Sequence, residues 1–388
     1  MKNISYFAFF SLVLTSLQAK EPSSPSNQCS KRVWIDGEYL YWWIKDSPET
    51  VPLIITGPLA EDQLLLGEAG TSILMGNDEI NNGARSGFKV SAGSWINSNQ
   101  TIGIEGDYVF LSNRTNTQTV ISNGEIGSLR LSIPFFDVVT NSEDSGTLAL
   151  PENYKAKAVL KVTNSMQDAE LNGTFKLLQH CKGYNLNIFT GFLWWNFKEK
   201  LNFHTDSPLL TPPNNVFYSN DMFRTHNNFY GGQIGFSGNC LWKNFSFMTR
   251  AQVALGGMVG DLKIKGKFVT NQFDDFGSVQ IFPAGYFAMP TNSGSFSRTN
   301  FSIIPQVRAE IGYSIFKWLN INLGYTFLYA TEVFWASNQI DRNINPSQSP
   351  VLTITPSDTL EGESRPKPLF KTNSFWSQGI NAGLSFKY

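Results

Sequence analysis

Charged and polar side chains recur two residues apart along this chain, and that spacing could do chemistry. Asp36 and Glu38 are so spaced, as are Glu105 and Asp107, Asp168 and Glu170, Arg250 and Gln252, and Arg308 and Glu310. Lys89 and Lys176 sit in stretches of the same pattern. On a β-strand, positions i and i+2 share a face, so these residues would line a common space of mixed sign. Asn320 and Asn322 extend the same lining. Two chemistries follow, and both stay open at this point. A hydrated mixed-sign lining passes small hydrophilic solutes with weak selectivity. Interlocking salt bridges would instead plug a narrow lumen.

Residues for covalent or metal chemistry are sparse. The three histidines are His180, His204 and His226. The first falls in a short turn and the other two in one long connection. No Gly-x-Ser-x-Gly elbow accompanies them, and their spacing is not that of zinc ligands. Gly231-Gly232 lacks the following helix and lysine of a phosphate loop. Asp341 has no calcium-loop spacing around it. The expectation is a non-enzyme with no catalytic, cofactor-binding or metal-binding residues and no cofactor.

The elements that would position the polar lining are long alternating strands. In Thr101–Leu111, Ile102, Ile104, Tyr108 and Phe110 oppose Gly103, Glu105 and Asp107. In Gln167–Leu178, Ala169, Leu171, Phe175 and Leu177 oppose Asp168, Glu170, Asn172, Thr174 and Lys176. Phe301–Ser314 and Leu319–Tyr329 repeat the pattern. A soluble strand has about 5–6 residues, whereas a tilted strand crossing a bilayer needs about 9–11. Ten such strands are expected: Val33–Ile44, Ser86–Ile96, Thr101–Leu111, Gln167–Leu178, Gly183–Trp195, Asn228–Ser237, Phe245–Met258, Phe301–Ser314, Leu319–Tyr329 and Phe375–Tyr388. A further hairpin within 112–166 or 260–300 would raise the count to twelve.

The fold class expected is therefore all-β, an antiparallel transmembrane β-barrel of 10–12 strands spanning 33–388. Short connections alternate with long ones at about 45–85, 112–166, 196–227, 260–300 and 331–374. Outer-membrane barrels carry short periplasmic turns and longer extracellular loops. Aromatic side chains gather where a membrane girdle is needed. Trp42, Trp43, Trp194, Trp195 and Tyr329 fall at the outer strand ends, and Trp34, Trp95, Phe316, Trp318 and Tyr388 at the inner ends. A doublet such as Trp42-Trp43 must put one ring on each face.

Composition and termini agree. Charged residues are 16% and aromatic residues 14%, with 31 Phe and 10 Trp, which suits an exterior facing lipid. Residues 1–19 read as an export signal, with Lys2 before the apolar run Tyr6–Leu17. Residues 20–32 would be a periplasmic segment. Removing Lys2 with the signal leaves 29 basic against 31 acidic residues. That balance argues against a nucleic-acid partner. Cys29, Cys181 and Cys240 all fall on the periplasmic side, an oxidising space. An odd count leaves one for an intermolecular disulfide with a second copy or an envelope protein. Ile380, Ala382, Leu384, Phe386 and Tyr388 alternate to the chain end, as in the terminal strand that outer-membrane assembly machinery recognises by edge pairing.

Several stretches together resemble the putative beta-barrel porin-seven family. They are Glu38-Tyr39-Leu40-Tyr41-Trp42-Trp43, Pro52 to Gly57, Gly87-Phe88, Gly103-Ile104-Glu105 and Pro134-Phe135-Phe136-Asp137. Asn228 to Gly235, Ala254-Leu255-Gly256, Ile304-Pro305, Gly324 to Leu328 and Gln339-Ile340-Asp341 complete the series. Ile133 stands where the family's pattern has an arginine. The resemblance implies an outer-membrane barrel and, by name, a porin. It transfers no catalytic or selectivity residue. The expected partners are membrane lipid, the assembly machinery and small solutes. The reading is a porin passing small hydrophilic solutes passively; the alternative is a closed barrel acting as a structural or adhesive surface protein through its long outer loops.

Overall fold

A computed structural model of the chain describes residues 32–179, 183–210, 215–271, 278–353, 360 and 362–387. The export signal, nearly all of 20–32, His180, Cys29, Cys181 and Tyr388 lie outside them. Sixteen strands are described: β1 Val33–Ile44, β2 Ile54–Thr56, β3 Ser72–Met75, β4 Ala84–Trp95, β5 Ile102–Ser122, β6 Leu131–Asp137, β7 Ser142–Ala149, β8 Ala156–Gln179, β9 Tyr184–Asp206, β10 Phe217–Trp242, β11 Phe245–Thr270, β12 Gln280–Phe282, β13 Gly294–Phe316, β14 Leu319–Phe334, β15 Asn343–Ile344 and β16 Thr372–Lys387. Among the described residues no helix is long and apolar enough to cross a membrane.

Ten strands close on themselves. Their order is β10-β9-β8-β5-β4-β1-β16-β14-β13-β11, and β11 pairs back onto β10. Every neighbouring pair is antiparallel, and the seam joins the two ends of the chain, with Trp34 opposite Lys387 and Ile44 opposite Ser377. Closure leaves no unpaired edge, the condition for a sheet to sit in hydrocarbon. The strand count is the lower end of the expected range. The additional hairpin exists as β6–β7, but it pairs outside the barrel wall.

Within the bilayer the alternation has its expected sense. Ile102, Ile104, Leu171, Phe175, Phe192, Ile234, Phe301, Ile311, Leu323 and Ile380 all point outward and are exposed. Above this band the strands continue, and their hydrophobic phase inverts. On β8, Lys157 and Lys161 are exposed while Ala156, Ala158, Leu160 and Val162 are buried. On β9, the outward row becomes Asn196, Lys198, Lys200, Asn202 and His204, and the inward row Phe197, Leu201 and Phe203. On β8 and β9 pleat parity does not change at this level; the solvent outside does, whereas β5 shifts register between Leu111 and Arg114. In hydrocarbon the exterior must be apolar, and in water the interior must be.

That inversion is why the walls run beyond the strand ends expected from apolar-outward alternation. β5 runs on to Ser122, β8 begins at Ala156, β9 reaches Asp206, β10 begins at Phe217, β11 reaches Thr270 and β13 begins at Gly294. These portions of 112–166, 196–227 and 260–300 are wall, not loop. A reader following apolar-outward alternation stops where the phase flips. The tall walls enclose a cap. Its sheet has the order β15-β6-β2-β3, with β7 paired to β6. Leu53, Ile54, Leu131, Ile133 and Phe135 of the cap pack with Leu201, Phe203, Phe223, Leu262 and Ile264 of the walls. Each such side chain, fully buried, contributes about 1.5–3 kcal/mol. Ile133 thus belongs to an apolar core and makes no salt link.

Candidate functional site

The lumen has two layers, and the sequence order of each strand stacks them. The layer toward the short-turn end is ionic. Lys89 Nζ lies 3.0 Å from Asp107 Oδ1. Arg250 Nη1 lies 2.5 Å from Glu105 Oε1, and its Nη2 3.6 Å from Glu170 Oε2. Arg308 pairs with both Glu38 and Glu310. Gln233 and Gln252 donate to the two Glu170 oxygens at 2.9 and 2.8 Å. Arg250 on β11 reaches Glu105 on β5 across the lumen, with three strands of wall between them. A cavity of about 280 Å³ opens below this layer, with Asp36, Glu105, Arg250, Arg308, Asn320 and Lys387 among its lining.

All twelve lining candidates, Asp36, Glu38, Lys89, Glu105, Asp107, Asp168, Glu170, Lys176, Arg250, Gln252, Arg308 and Glu310, sit on inward strand positions. Nine of them join the network just described. Asp168 is buried beside Glu170 on β8, and Asp36 lines the cavity. Lys176 stands apart, with its ammonium 4.3 Å from the Trp95 ring centre. Sequence reading missed Gln233. Its place in the Gly-Gly-Gln run drew attention to the glycines, but its parity with Gly231 and Gly235 already put it inside.

Above the ions lies an apolar layer that crosses the barrel. Trp195 and Phe197 come from β9, Phe375 from β16, and Trp335 from the segment after β14. β9 and β16 stand on opposite walls of the ten-strand ring. The Trp195 and Phe375 ring centres are 5.0 Å apart, Phe197 and Phe375 4.9 Å, and Phe197 and Trp335 4.8 Å. All four rings are fully buried. Leu40, Trp42, Val109, Leu193, Phe229, Ile304 and Leu328 surround them. Trp42 and Trp195 are therefore not girdle residues as expected; they turn inward, while their neighbours Trp43 and Trp194 face out. Trp34 and Trp95 also turn inward, onto the cavity.

Three buried polar side chains pin the outer segments to the walls, and none was picked out from the sequence. Asn227 on β10 donates to Phe334 O and accepts from Phe334 N, both at 2.8 Å. Glu199 on β9 accepts from Ala336 N at 2.7 Å and Ser337 N at 3.2 Å, and from the Ser47 hydroxyl. Together they hold the backbone on either side of Trp335. Asp221 on β10 accepts from the backbone N–H groups of Tyr286, Phe287 and Ala288 at 3.1, 2.9 and 2.6 Å. Burial pushes the Asp221 carboxyl up to about 6, against the pull of those three donors. Burial and the neighbouring Asp221 push the Tyr286 phenol above its usual range. Glycine allows the approach: a Cβ on Gly266 would lie 1.9 Å from Ala288 O, and one on Gly285 2.3 Å from Asp221 Oδ1.

Asp221→Ala is expected to strand three buried N–H donors, at about 1–3 kcal/mol each. The segment around 285–288 should then become a new site of limited proteolysis in the otherwise folded barrel. Asp221→Asn, which keeps one acceptor oxygen, should be cut more slowly; equal resistance of the alanine variant and the parent would mean that packing alone holds this segment.

The remaining candidates do not converge. His204 and His226 lie on the outward faces of β9 and β10, opposite Asn220 and Lys198, and not in one loop. Cys240 is an exposed free cysteine near the short turn that joins β10 to β11. Among the described residues no group of three or more His, Cys, Asp or Glu could hold a metal ion.

A family model described as Putative beta barrel porin-7 matches residues 34–388. No curated protein matches the chain. Among solved structures, the outer membrane protease OmpT from Escherichia coli aligns over 92% of this chain and 97% of its own, at 9% identity and a TM-score of 0.40. A Pseudomonas aeruginosa FadL homologue aligns over 93% of this chain and 90% of its own, at 8% identity and a TM-score of 0.22. Likenesses this loose say nothing of what the chain does.

Proposed function

We propose, from the premise that the chain belongs to the Putative beta barrel porin-7 family, that this outer-membrane barrel is stoppered at rest and serves at the cell surface as a structural or adhesive element through its folded cap. The reading is non-catalytic. One observation carries it: aromatic rings from opposite walls touch in mid-lumen, with ring centres 4.9–5.0 Å apart and no exposed surface. A hydrated ion cannot cross such a layer without moving it. The cap adds a second apolar layer above the first. A narrow barrel filled by its own side chains is the ordinary outcome at small strand number, while open channels have about 16 strands.

A second reading, passive passage of small hydrophilic solutes, is favoured by the mixed-sign cavity on the periplasmic side. It requires both apolar layers to be displaced. Seven carboxylates face four cations among the lining candidates, so a conducting state would prefer cations weakly. The two readings separate in planar bilayers. The stoppered barrel is expected to give no discrete conductance steps even at high protein load. Regular steps from the unmodified protein would overturn it in favour of passage.

A further inference from the structure

The overhanging outer wall carries a concentration of positive charge that the lumen does not use. On the outward faces of β8 to β11 stand Lys157, Lys161, Lys198, Lys200, Arg224, Lys263, Lys265 and Lys267, against only Asp206 and Asp261. Register places three of them side by side, while Lys157 stands opposite Asp206. Arg224 pairs with Lys200 on one flank and Lys263 on the other. Directly opposed like charges on neighbouring strands destabilise a sheet. Among the described residues none of these cations makes an ion pair. An anion bound over the row would relieve that repulsion.

Two further observations point to the anion. A surface recess of about 340 Å³ lies on this row, with Arg224, His226, Lys263, Asp261, Ser295 and Ser297 as its polar lining and Leu262 and Phe296 as its apolar floor. It offers two permanent cations, an imidazole and two hydroxyls against one carboxylate, a donor set for phosphate. The row's height is also set. The outward rings Trp194 and Tyr230 face each other at the rim of the apolar band, and Lys200 and Arg224 face each other six residues further along their strands. At about 3.3 Å per residue and a tilt of about 40°, that is roughly 15 Å above the rings. Lys198 and His226 fill the interval. This is the zone of headgroups and of the sugars standing on them.

We propose that the Lys200–Arg224–Lys263 row and its recess bind the phosphorylated headgroup of an outer-leaflet glycolipid. The inference rests on the orientation used above, with the cap outside the cell. The test uses the full barrel folded in detergent. Native mass spectrometry measures retention of purified lipopolysaccharide, of the same glycolipid after dephosphorylation, and of inorganic pyrophosphate. The parent protein is expected to retain the intact glycolipid. The triple variant Lys200→Ala/Arg224→Ala/Lys263→Ala should bind it roughly a thousandfold more weakly, each charge-assisted contact to phosphate being worth about tenfold. Folding of the variant is read from its unchanged heat-modifiable gel mobility, and Lys200→Arg/Lys263→Arg should bind like the parent. Equal retention of intact and dephosphorylated lipid, or an undiminished triple variant, would overturn the proposal. So would pyrophosphate binding as tightly as the glycolipid, which would assign the row to soluble phosphate. Orientation is checked separately. Lys200→Cys, in a background with the native cysteines changed to serine, should react with an impermeant maleimide on intact cells. Labelling without lipid binding sinks only this inference; absence of labelling sinks the orientation.

Discussion

Arg308→Ala is expected to cost the folded barrel about 3 kcal/mol, the lower end of what removing one partner of a buried ion pair does. Arg308 neutralises two carboxylates at once, Glu38 from β1 and Glu310 two residues along its own strand. Its side chain is 6% exposed, and those of Glu38 and Glu310 are 2% and 8% exposed. Without the guanidinium, two anions would face each other where solvent is scarce. The cavity beneath them sets the lower end of the range, because it gives water a route to both. The triple variant Arg308→Met/Glu38→Gln/Glu310→Gln removes charge and countercharge together. It should recover most of the loss, since a buried ion pair as a whole is close to neutral against uncharged substitutes. Denaturant unfolding in detergent measures both. An alanine variant within about 0.5 kcal/mol of the parent would mean that the ionic layer is hydrated and soft, and would weaken the case for a stopper.

Trp195→Ala/Phe375→Ala should be the more damaging change to stability. Each ring is fully buried, and Phe or Trp to Ala in a core costs about 3–5 kcal/mol. The two rings are in contact at 5.0 Å, so their effects overlap and the double variant should lose about 5–8 kcal/mol. Heat-modifiability should fall to a much lower temperature. The conductance should nevertheless stay silent. Above the removed rings, Ile133 and Phe135 of the cap still pack with Phe203 and Phe223 of the walls, and Asn227 and Glu199 still hold the backbone beside Trp335. Two seals stand in series. If this variant conducts while the parent does not, the cap is permeable and the aromatic bridge is the single gate.

Legibility differed along the chain for a physical reason. β1 spans Val33–Ile44 as its alternation alone indicates, because its outward row stays apolar over its whole length. β9 was read as far as Trp195 and continues to Asp206, because its hydrophobic phase inverts where lipid gives way to water. His204 and His226 lie in the inverted portions of β9 and β10, where outward polar residues resemble a loop. The lining residues were legible from parity. Their partners were not: Arg250 and Glu105 are 145 residues apart, and which inward charge meets which follows from ring order and stagger.

The amino-acid sequence by itself determined which side of the wall the charged and aliphatic residues of the bilayer band face. The pleat alternates, and hydrocarbon tolerates only apolar side chains, so inside and outside are legible wherever a strand crosses the bilayer without a register shift. Tertiary structure alone decided whether that inside is empty. Facing inward says nothing of how far a ring reaches. Only closure of ten strands brings Trp195 within contact of Phe375 on the opposite wall and turns a lining into a stopper.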